Sequence, residues 1–459
     1  MASKHTLALA FYGDDFTGAT DALEQLTLAG IRTALFIKPP TPKQLARFKN
    51  LQAIGVAGMT RSMTPAAMER ELRPALKKLK VIGARHVHYK VCSTFDSSPK
   101  IGSIGRAIDV GAEIFRAPFV PVLAAAPMLG RYTIFGTHFA RYGIGSAGAI
   151  HRLDRHPSIS KHPITPMDEA DLRLHLAKQT KKRVALFDIL NVSLPADMAR
   201  LALKQLLAGK PDVVLFDALN ASQLQLIGEL MDGYASAKQP LFSVGSSGIE
   251  MALGARFNSR SSRREEVPSE VAGKVSLLTS SPTNQVLIGS GSCSPVTSGQ
   301  IAWALKHGFA EVPLDTAALA SAKNANREIQ RATDAAIKLI NVGCSVIVHT
   351  TRSGSDRRIA AKLKHNTAQV LGTALGKILR GALEQSRVRR LCIAGGDTSS
   401  YAARALGIEA LEMIAQLTPG APLCRATAPG LPVDGLEVVF KGGQVGAEDY
   451  FGIVMKGKR

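Results

Sequence analysis

The chain has 459 residues, 46% of them apolar and 5% aromatic, and its 57 Lys and Arg against 36 Asp and Glu leave a formal charge of +21. That length holds two or three domains with full-sized cores, while the lack of any apolar run near the length of a membrane span argues against a membrane partner. The five cysteines (Cys92, Cys293, Cys344, Cys392, Cys424) are odd in number, widely spaced and without a C-x-x-C, which argues against a disulfide framework or zinc knuckle.

The amino terminus, "MASKHTLALAFYGDDF", runs into acidic residues rather than a small-residue cleavage site, so a cytoplasmic location is expected. From there, apolar runs of strand length alternate with stretches of helical period, the pattern of an α/β protein. Strands are predicted at "TLALAFYG", "RTALFI", "QAIGVAG", "HVHYKVC" and "PFVPVLAAA", and again at "RVALFDIL", "DVVLFDAL" and "PLFSVGSSG". Between them lie helical stretches such as "TPAAMERELRPALKKL", where Thr64, Pro65 and Glu69 resemble a helix start. "RFNSRSSRREEVPSEVAGK" is charged, serine-rich and without period, so residues 256–284 are expected to link a domain over 1–255 to another over 285–459. The second domain runs through "NQVLIGSGSCS", "CSVIVHTTRSGSD", "RRLCIAGGDTSS" and "LEVVFKGGQVG". Basic residues are scattered rather than set among aromatics in a recognition helix, so nucleic acid is not expected and small anions suit the charge better.

Four predicted strands end in small, polar or glycine residues: "GDDFTGATD", "GSGSCSPVTSG", "AGGDTSS" and "KGGQVGAED". In open α/β sheets, ligands lie beyond the carboxyl ends of strands, where loops lead into helix N-termini. Glycine at Gly395 and Gly396 would let backbone N–H groups approach an anion beside the positive end of a helix dipole. The alternative is a tight turn in which Asp397 caps the next helix. Asp14 and Asp15 allow one carboxylate to face a substrate as base while the other caps a helix. Arg61 and Lys90 each follow a strand, either as cations for an anionic substrate or as members of a surface ion pair.

Other patterns carry less. No G-x-x-x-x-G-K-[ST] is present, so this is no P-loop protein. "GIGSAG" fits G-x-G-x-x-G, but "THFARY" before it reads as a poor strand, which disfavours a dinucleotide site. His86 and His88 alternate on a strand without an H-E-x-x-H, so packing is favoured over metal binding. "HPITPMDEADL" reads as a proline-set helix entry capped near Thr165 or Asp168.

Taken in order, "DDFTGATD", "TRS" (60–62), "YKVCSTFDS" and "VGSSGIE", then "GSGSCSPVTSGQI", "TRSGSD", "AGGDTSS", "LTPGAPLC" and "FKGGQVGAEDYF", resemble the four-carbon acid sugar kinases over nearly the whole chain. The resemblance implies two α/β domains with mainly parallel sheets, an N-terminal sugar-acid-binding domain and a C-terminal nucleotide-binding domain, with the active site in the cleft between them. It implies ATP-dependent, Mg²⁺-assisted phosphorylation of the terminal hydroxyl of a 3-oxo-tetronate, threonate or erythronate to its 4-phosphate. "KVCSTFDS" is closest to the 3-oxo-tetronate branch. Ser103 in "IGSIG" and the elaborated stretch 136–172 depart from it, and leave a branched or five-carbon acid of the 3-oxo-isoapionate type as the alternative substrate. A non-catalytic sensor of the same ligands is the competing class, disfavoured by the acidic residues retained in "GDDFTG" and "AGGDT".

By the same resemblance, Arg61 and Lys90 hold the sugar acid's carboxylate, Asp96 and Asp14 or Asp15 contact its hydroxyls, and Ser93, Gly245 and Gly248 line its site. Ser292 and Ser294 lie near one end of ATP, Gly395, Gly396, Asp397 and Thr398 along its phosphates, and Gly443 close to the nucleotide. Asp15 is favoured over Asp14 as the catalytic base. Protein ligands to the metal stay unassigned, and a homodimer stays open.

Overall fold

The computed structural model describes residues 7–142, 148–162, 164–264, 285–351 and 367–457, the side chains of 259–264 and of Asp397 excepted. Its strands in chain order are β1 (Leu9–Gly13), β2 (Thr33–Phe36), β3 (Ala53–Ala57), β4 (His86–Lys90), β5 (Val120–Leu123), β6 (Arg131–Ile134), β7 (Thr137–Arg141), β8 (Ile150–Arg152) and β9 (Val184–Phe187). They continue as β10 (Val213–Phe216), β11 (Leu241–Gly245), β12 (Leu287–Ser290), β13 (Ala310–Pro313), β14 (Val346–His349), β15 (Arg390–Ala394), β16 (Ala410–Thr418), β17 (Ala421–Thr427) and β18 (Glu437–Lys441). The chain forms two compact units, one of Met1–Asp14, Gln25–Thr33 and Lys38–Val271, the other of Asp15–Glu24, Ala34–Ile37 and Ala272–Arg459.

In the first unit the strand order is β3-β1-β4-β11-β5-β10-β9, and every pair is parallel. β1, β3, β4, β10 and β11 are buried along their whole length, so both faces need helical cover, as parallel sheets do. The helix Pro65–Ile82 starts at Thr64 with Pro65 in its first turn, where a missing N–H costs nothing. Ser103 and Asn220 cap the helices Ile104–Phe115 and Ala221–Asp232 by accepting from the N–H groups of Arg106 and Gln223. A separate antiparallel sheet, β6-β7-β8, branches from the loop after β5.

The second unit orders its strands β13-β14-β12-β15-β18-β17-β16, parallel through β18 and antiparallel beyond it, and β2 pairs antiparallel with β16 through Leu35–Leu411 and Phe36–Ala410. Val286, Ile288, Ile347, Val439, Tyr450 and Phe451 are among the residues of its core.

The structure departs from the sequence reading in four places. "THFARY" contains β7, an antiparallel strand held by β6 and β8 rather than the opening of a βαβ unit, and 143–147 of "GIGSAG" lie outside the described residues. The short helix Leu172–Ala177 is capped by Asp171, not by Thr165 or Asp168. β16 and β17 form a hairpin, and β16 alternates between buried and more exposed residues, without a long apolar run to announce it. Finally, the helix Gly248–Arg264 continues past Ala255 into the expected linker. Tertiary anchoring explains this last difference: Arg256 Nε donates to buried Asp232 at 3.0 Å.

Asp232 also accepts from Arg85 Nη2 at 2.8 Å and His86 Nε2 at 3.3 Å. Burial alone would raise its pKa, but the hydrogen bonds from His86 and Arg256 outweigh it and hold the carboxyl well below the usual range. A depressed carboxyl pKa stabilises the fold above the ordinary value near 4 and loses that contribution as pH falls toward the folded one. Asp232→Ala should cost about 3–5 kcal/mol, the scale for leaving buried cations without their partner, and flatten the acid limb of stability. Urea unfolding between pH 3 and 7 checks both.

Candidate active site

In the first unit the strand register sets four loop origins at one height. Gly13 pairs with Ala57 on one side and Lys90 on the other, and Lys90 pairs in turn with Gly245. The chain passes from β1 out to β3 and returns across β1 to β4, so the strand order reverses at β1, the place where open α/β sheets take ligands. Asp14, Arg61, Lys90, Ser93, Asp96, Gly245 and Gly248 all lie on this rim.

Asp14 N–H donates to the Lys90 carbonyl, and its carboxylate sits in the fork of Arg61, whose Nε and Nη2 donate at 3.0 and 2.7 Å. Their side chains are 4% and 23% exposed, so the pair is a well-formed bidentate contact rather than a solvated one. Lys90 is buried and its Nζ donates to the Val91 carbonyl at 3.0 Å. In the loop that follows, Phe95 has φ 57°, a left-handed conformation costly for a bulky residue and common at functional sites. It turns the chain so that Thr94 Oγ1 donates to Asp96 Oδ1 at 2.8 Å, while His138 Nε2 donates to the Ser93 carbonyl at 2.9 Å. A Cβ on Gly245 would lie 2.1 Å from the Leu123 carbonyl oxygen, and one on Gly248 1.9 Å from that of Ala125. Both glycines are therefore fixed by backbone packing.

Asp15 falls with the second unit. Its Oδ1 accepts from Gly18 N–H at 2.7 Å and its Oδ2 from Thr17 Oγ1 at 2.8 Å, so it caps the helix Phe16–Leu28. That helix is fixed in the same unit by Phe16 against Phe440, with ring centroids 4.5 Å apart, and by buried Glu24, which accepts from Gln416 Nε2 at 2.8 Å and Gly420 N–H at 2.6 Å. Burial pushes the Glu24 carboxyl up to about 7.

The second unit repeats the construction. Ser290 pairs with Ala394 and His349, and Ala394 with Lys441, so the loops carrying Ser292, Gly395 and Gly443 start level, with the order reversing at β12. Gly395, at φ 134°, is the N-cap of the helix Gly396–Leu406, and no side chain caps it. Asp397 lies inside the first turn, so the alternative in which it caps does not hold; its side chain is outside the described set. The helix N-terminus thus presents backbone N–H groups, the arrangement that suits a phosphate. Around it, Thr398 packs on Gly291, where a Cβ would lie 2.4 Å from Thr398 Cγ2, and a Cβ on Gly443 would lie 2.7 Å from Ser292 Oγ. Ser294 caps the helix Pro295–Lys306.

Sequence reasoning missed Lys441 and Thr297. Lys441 Nζ donates to Thr297 Oγ1 at 3.0 Å, and that hydroxyl donates to the Gly443 carbonyl at 2.8 Å. Burial pulls the Lys441 amine down to about 8. A lysine closing an apolar strand just before two glycines was the available signal. A cleft of about 730 Å³ lined by Asp109, Lys182 and Asp212 lies at the amino-terminal ends of β5 and β10 and takes no part in either rim. Among the described residues no helix is long and apolar enough to cross a membrane.

Family models match both units: a sugar-binding N-terminal domain over residues 9–253 and a nucleotide-binding C-terminal domain over 287–451. A 3-oxo-isoapionate kinase of Paraburkholderia graminis is 42% identical over 98% of this chain and 95% of its own. The chain belongs to the four-carbon acid sugar kinase family. It is accordingly a carbohydrate-acid phosphotransferase. A 3-oxo-tetronate kinase of Pseudomonas savastanoi pv. phaseolicola is 29% identical over 98% and 96% of the two chains. A crystal structure from Salmonella typhimurium LT2 superposes with a TM-score of 0.75 at 23% identity, covering 98% of this chain and 99% of that one, and speaks for the fold alone.

For this kinase the two glycines of "AGGD" separate cleanly. Gly395→Ala forces a side chain to φ 134°, and should cost about 1–3 kcal/mol. Gly396 is helical and a Cβ there meets nothing within 4 Å, so Gly396→Ala should leave stability unchanged or slightly raised. Paired denaturant titrations of the two variants measure the difference.

Proposed function

We propose that the protein transfers the γ-phosphoryl group of ATP to the terminal hydroxyl of an oxo sugar acid of the 3-oxo-isoapionate type. The observation that supports this acid over a 3-oxo-tetronate is the 42% identity to the isoapionate kinase against 29% to the tetronate kinase, both over nearly the whole chain. The departures at Ser103 and in 136–172 fall in the sugar-binding unit, as a change of acid requires.

In this reading the sugar acid occupies the rim with Asp14, Arg61, Lys90, Ser93 and Asp96, beside Gly245 and Gly248. ATP lies on the rim of the second unit, with Ser292, Ser294 and Gly443 near it and its phosphates at Gly395, Gly396, Asp397 and Thr398. Transfer of a phosphoryl group demands positioning and charge neutralisation more than covalent chemistry by the protein. Asp15 accepts the hydroxyl proton, while Asp14 is held in the Arg61 fork. Mg²⁺, when bound, supplies charge neutralisation at the phosphates. Among the described residues no group of three or more His, Cys, Asp or Glu is gathered to hold a metal. The charge of +21 favours capture of two anionic substrates.

The test is ADP release with ATP and Mg²⁺ against 3-oxo-isoapionate, 3-oxo-tetronates, threonates and erythronates. Highest kcat/KM with the isoapionate acid is expected; a tetronate preferred over it would overturn the substrate, and no ADP from any acid despite ATP binding would overturn the kinase reading. Asn caps helices as well as Asp does, so Asp15→Asn should keep its melting temperature while kcat falls about 10²–10⁴-fold. Retention of kcat would remove Asp15 as the base. Gly396→Ala should raise the KM for ATP about tenfold without loss of stability, because the added methyl stands where the phosphates approach.

A further inference from the structure

The sheet β6-β7-β8 has no part in the chemistry above, yet its first residue is an unusual cation. Arg131 is 5% exposed, and among the described residues no carboxylate pairs with it. Its Nη1 donates to the backbone carbonyls of Leu129, Gly130 and Arg141 at 2.8, 3.4 and 3.2 Å, and its Nε is buried without a hydrogen-bond partner. Burying a guanidinium is costly unless an anion meets it, and a cost retained in a binding domain points to a ligand.

Its surroundings say which ligand. β6 alternates buried and half-buried residues, so Arg131 and Thr133 share one face. Thr133 Oγ1 bonds His138 Nδ1 at 2.9 Å, and His138 Nε2 donates to the carbonyl of Ser93, so that face is held to the loop after β4. Burial holds the His138 imidazole neutral, down to about 4, consistent with one nitrogen donating and the other accepting. Arg131 also pairs through its backbone with Ala126, in the loop after β5, next to Ala125, whose carbonyl packs on Gly248. The fields of Cys92, Asp96 and Tyr132 reach the guanidinium, and it acts in turn on the imidazoles of His138 and His156. Arg131 thus stands where the loops after β4, β5 and β11 converge. By contrast, Arg61 already has its counter-ion in Asp14.

We propose that Arg131 is the residue that holds the carboxylate of the sugar acid, through the Nε–Nη2 edge of its guanidinium, with Asp96 beside it on a substrate hydroxyl. This rests on the kinase reading above and revises it, moving the carboxylate contact from Arg61 to Arg131. A planar carboxylate matches the two-pronged guanidinium edge, and Nη1, fixed by three carbonyls, sets its orientation. The sheet β6-β7-β8 then acts as the element that reads the acid.

The experiment compares wild type with Arg131→Met and Arg131→Lys, using each acid and the matching carboxamide. Threonate and its amide serve as stable probes in calorimetry without ATP, because 3-oxo acids lose CO₂ readily. Arg131→Met exchanges an unpaired buried cation for an apolar chain of similar reach, so its melting temperature should hold or rise. The KM and Kd for the acid should increase about 10- to 100-fold, with the KM for ATP unchanged, and the preference for acid over amide should disappear. Arg131→Lys keeps the charge without the fork and should recover only part of it. Acid-over-amide discrimination that survives in both variants overturns the assignment, as does a wild type that binds acid and amide equally, and either result leaves the kinase reading standing. If no acid yields ADP, the kinase reading fails, and the calorimetric comparison still decides Arg131.

Discussion

The site depends first on strand register. Parallel pairing fixes Gly13, Ala57, Lys90 and Gly245 at one level, and a slip of one residue would turn every side chain of a strand to the opposite face. Glycine then lets the loops approach. With a Cβ on Gly245 or Gly248 about 2 Å from a backbone oxygen, β11 and the loop after β5 could not close, and the base of β6 would have no fixed position. The second unit meets the same constraint at Gly291 and Gly443, where the neighbours are Thr398 and Ser292.

Buried charge is distributed unevenly over this framework. Two buried charges away from the rims are answered by opposite charge: Asp232 has Arg85, His86 and Arg256, and Arg390 reaches Glu437 and the carbonyls of Val454 and Met455. These hold helices to strands away from the rims. On the rims Arg61 is likewise paired, with Asp14, but two other cations are not. Among the described residues, Lys441 has a hydroxyl rather than a carboxylate as its partner, and Arg131 has only backbone carbonyls. A cation that the fold leaves without a counter-ion is one whose field a ligand can complete, and the two lie in the units that bind a sugar acid and a nucleotide.

Much of this was legible in the sequence because parallel strands are buried on both faces and read as continuous apolar runs. "TLALAFYG", "HVHYKVC" and "RRLCIAGG" end at the rims as their glycine and polar tails predict. What stayed hidden is half-buried or tertiary. β6, β7 and β16 alternate with polar residues, and the helix past Ala255 is held by one ion pair. Arg131 was hidden for the same reason: in "GRYTI" it is one arginine among many, and only burial distinguishes it from a solvated one.

The paired aspartates illustrate the limit of spacing as a guide. Side by side in sequence, Asp14 and Asp15 belong to different scaffolds: Asp14 is fixed by Arg61 and the Lys90 carbonyl in the sugar-binding unit, while Asp15 caps a helix anchored through Phe16 and Glu24 to the nucleotide-binding unit. Two carboxylates on one loop would be interchangeable bases; two carboxylates held by different partners are not. Asp14 is fixed within the sugar-binding unit and Asp15 within the nucleotide-binding one.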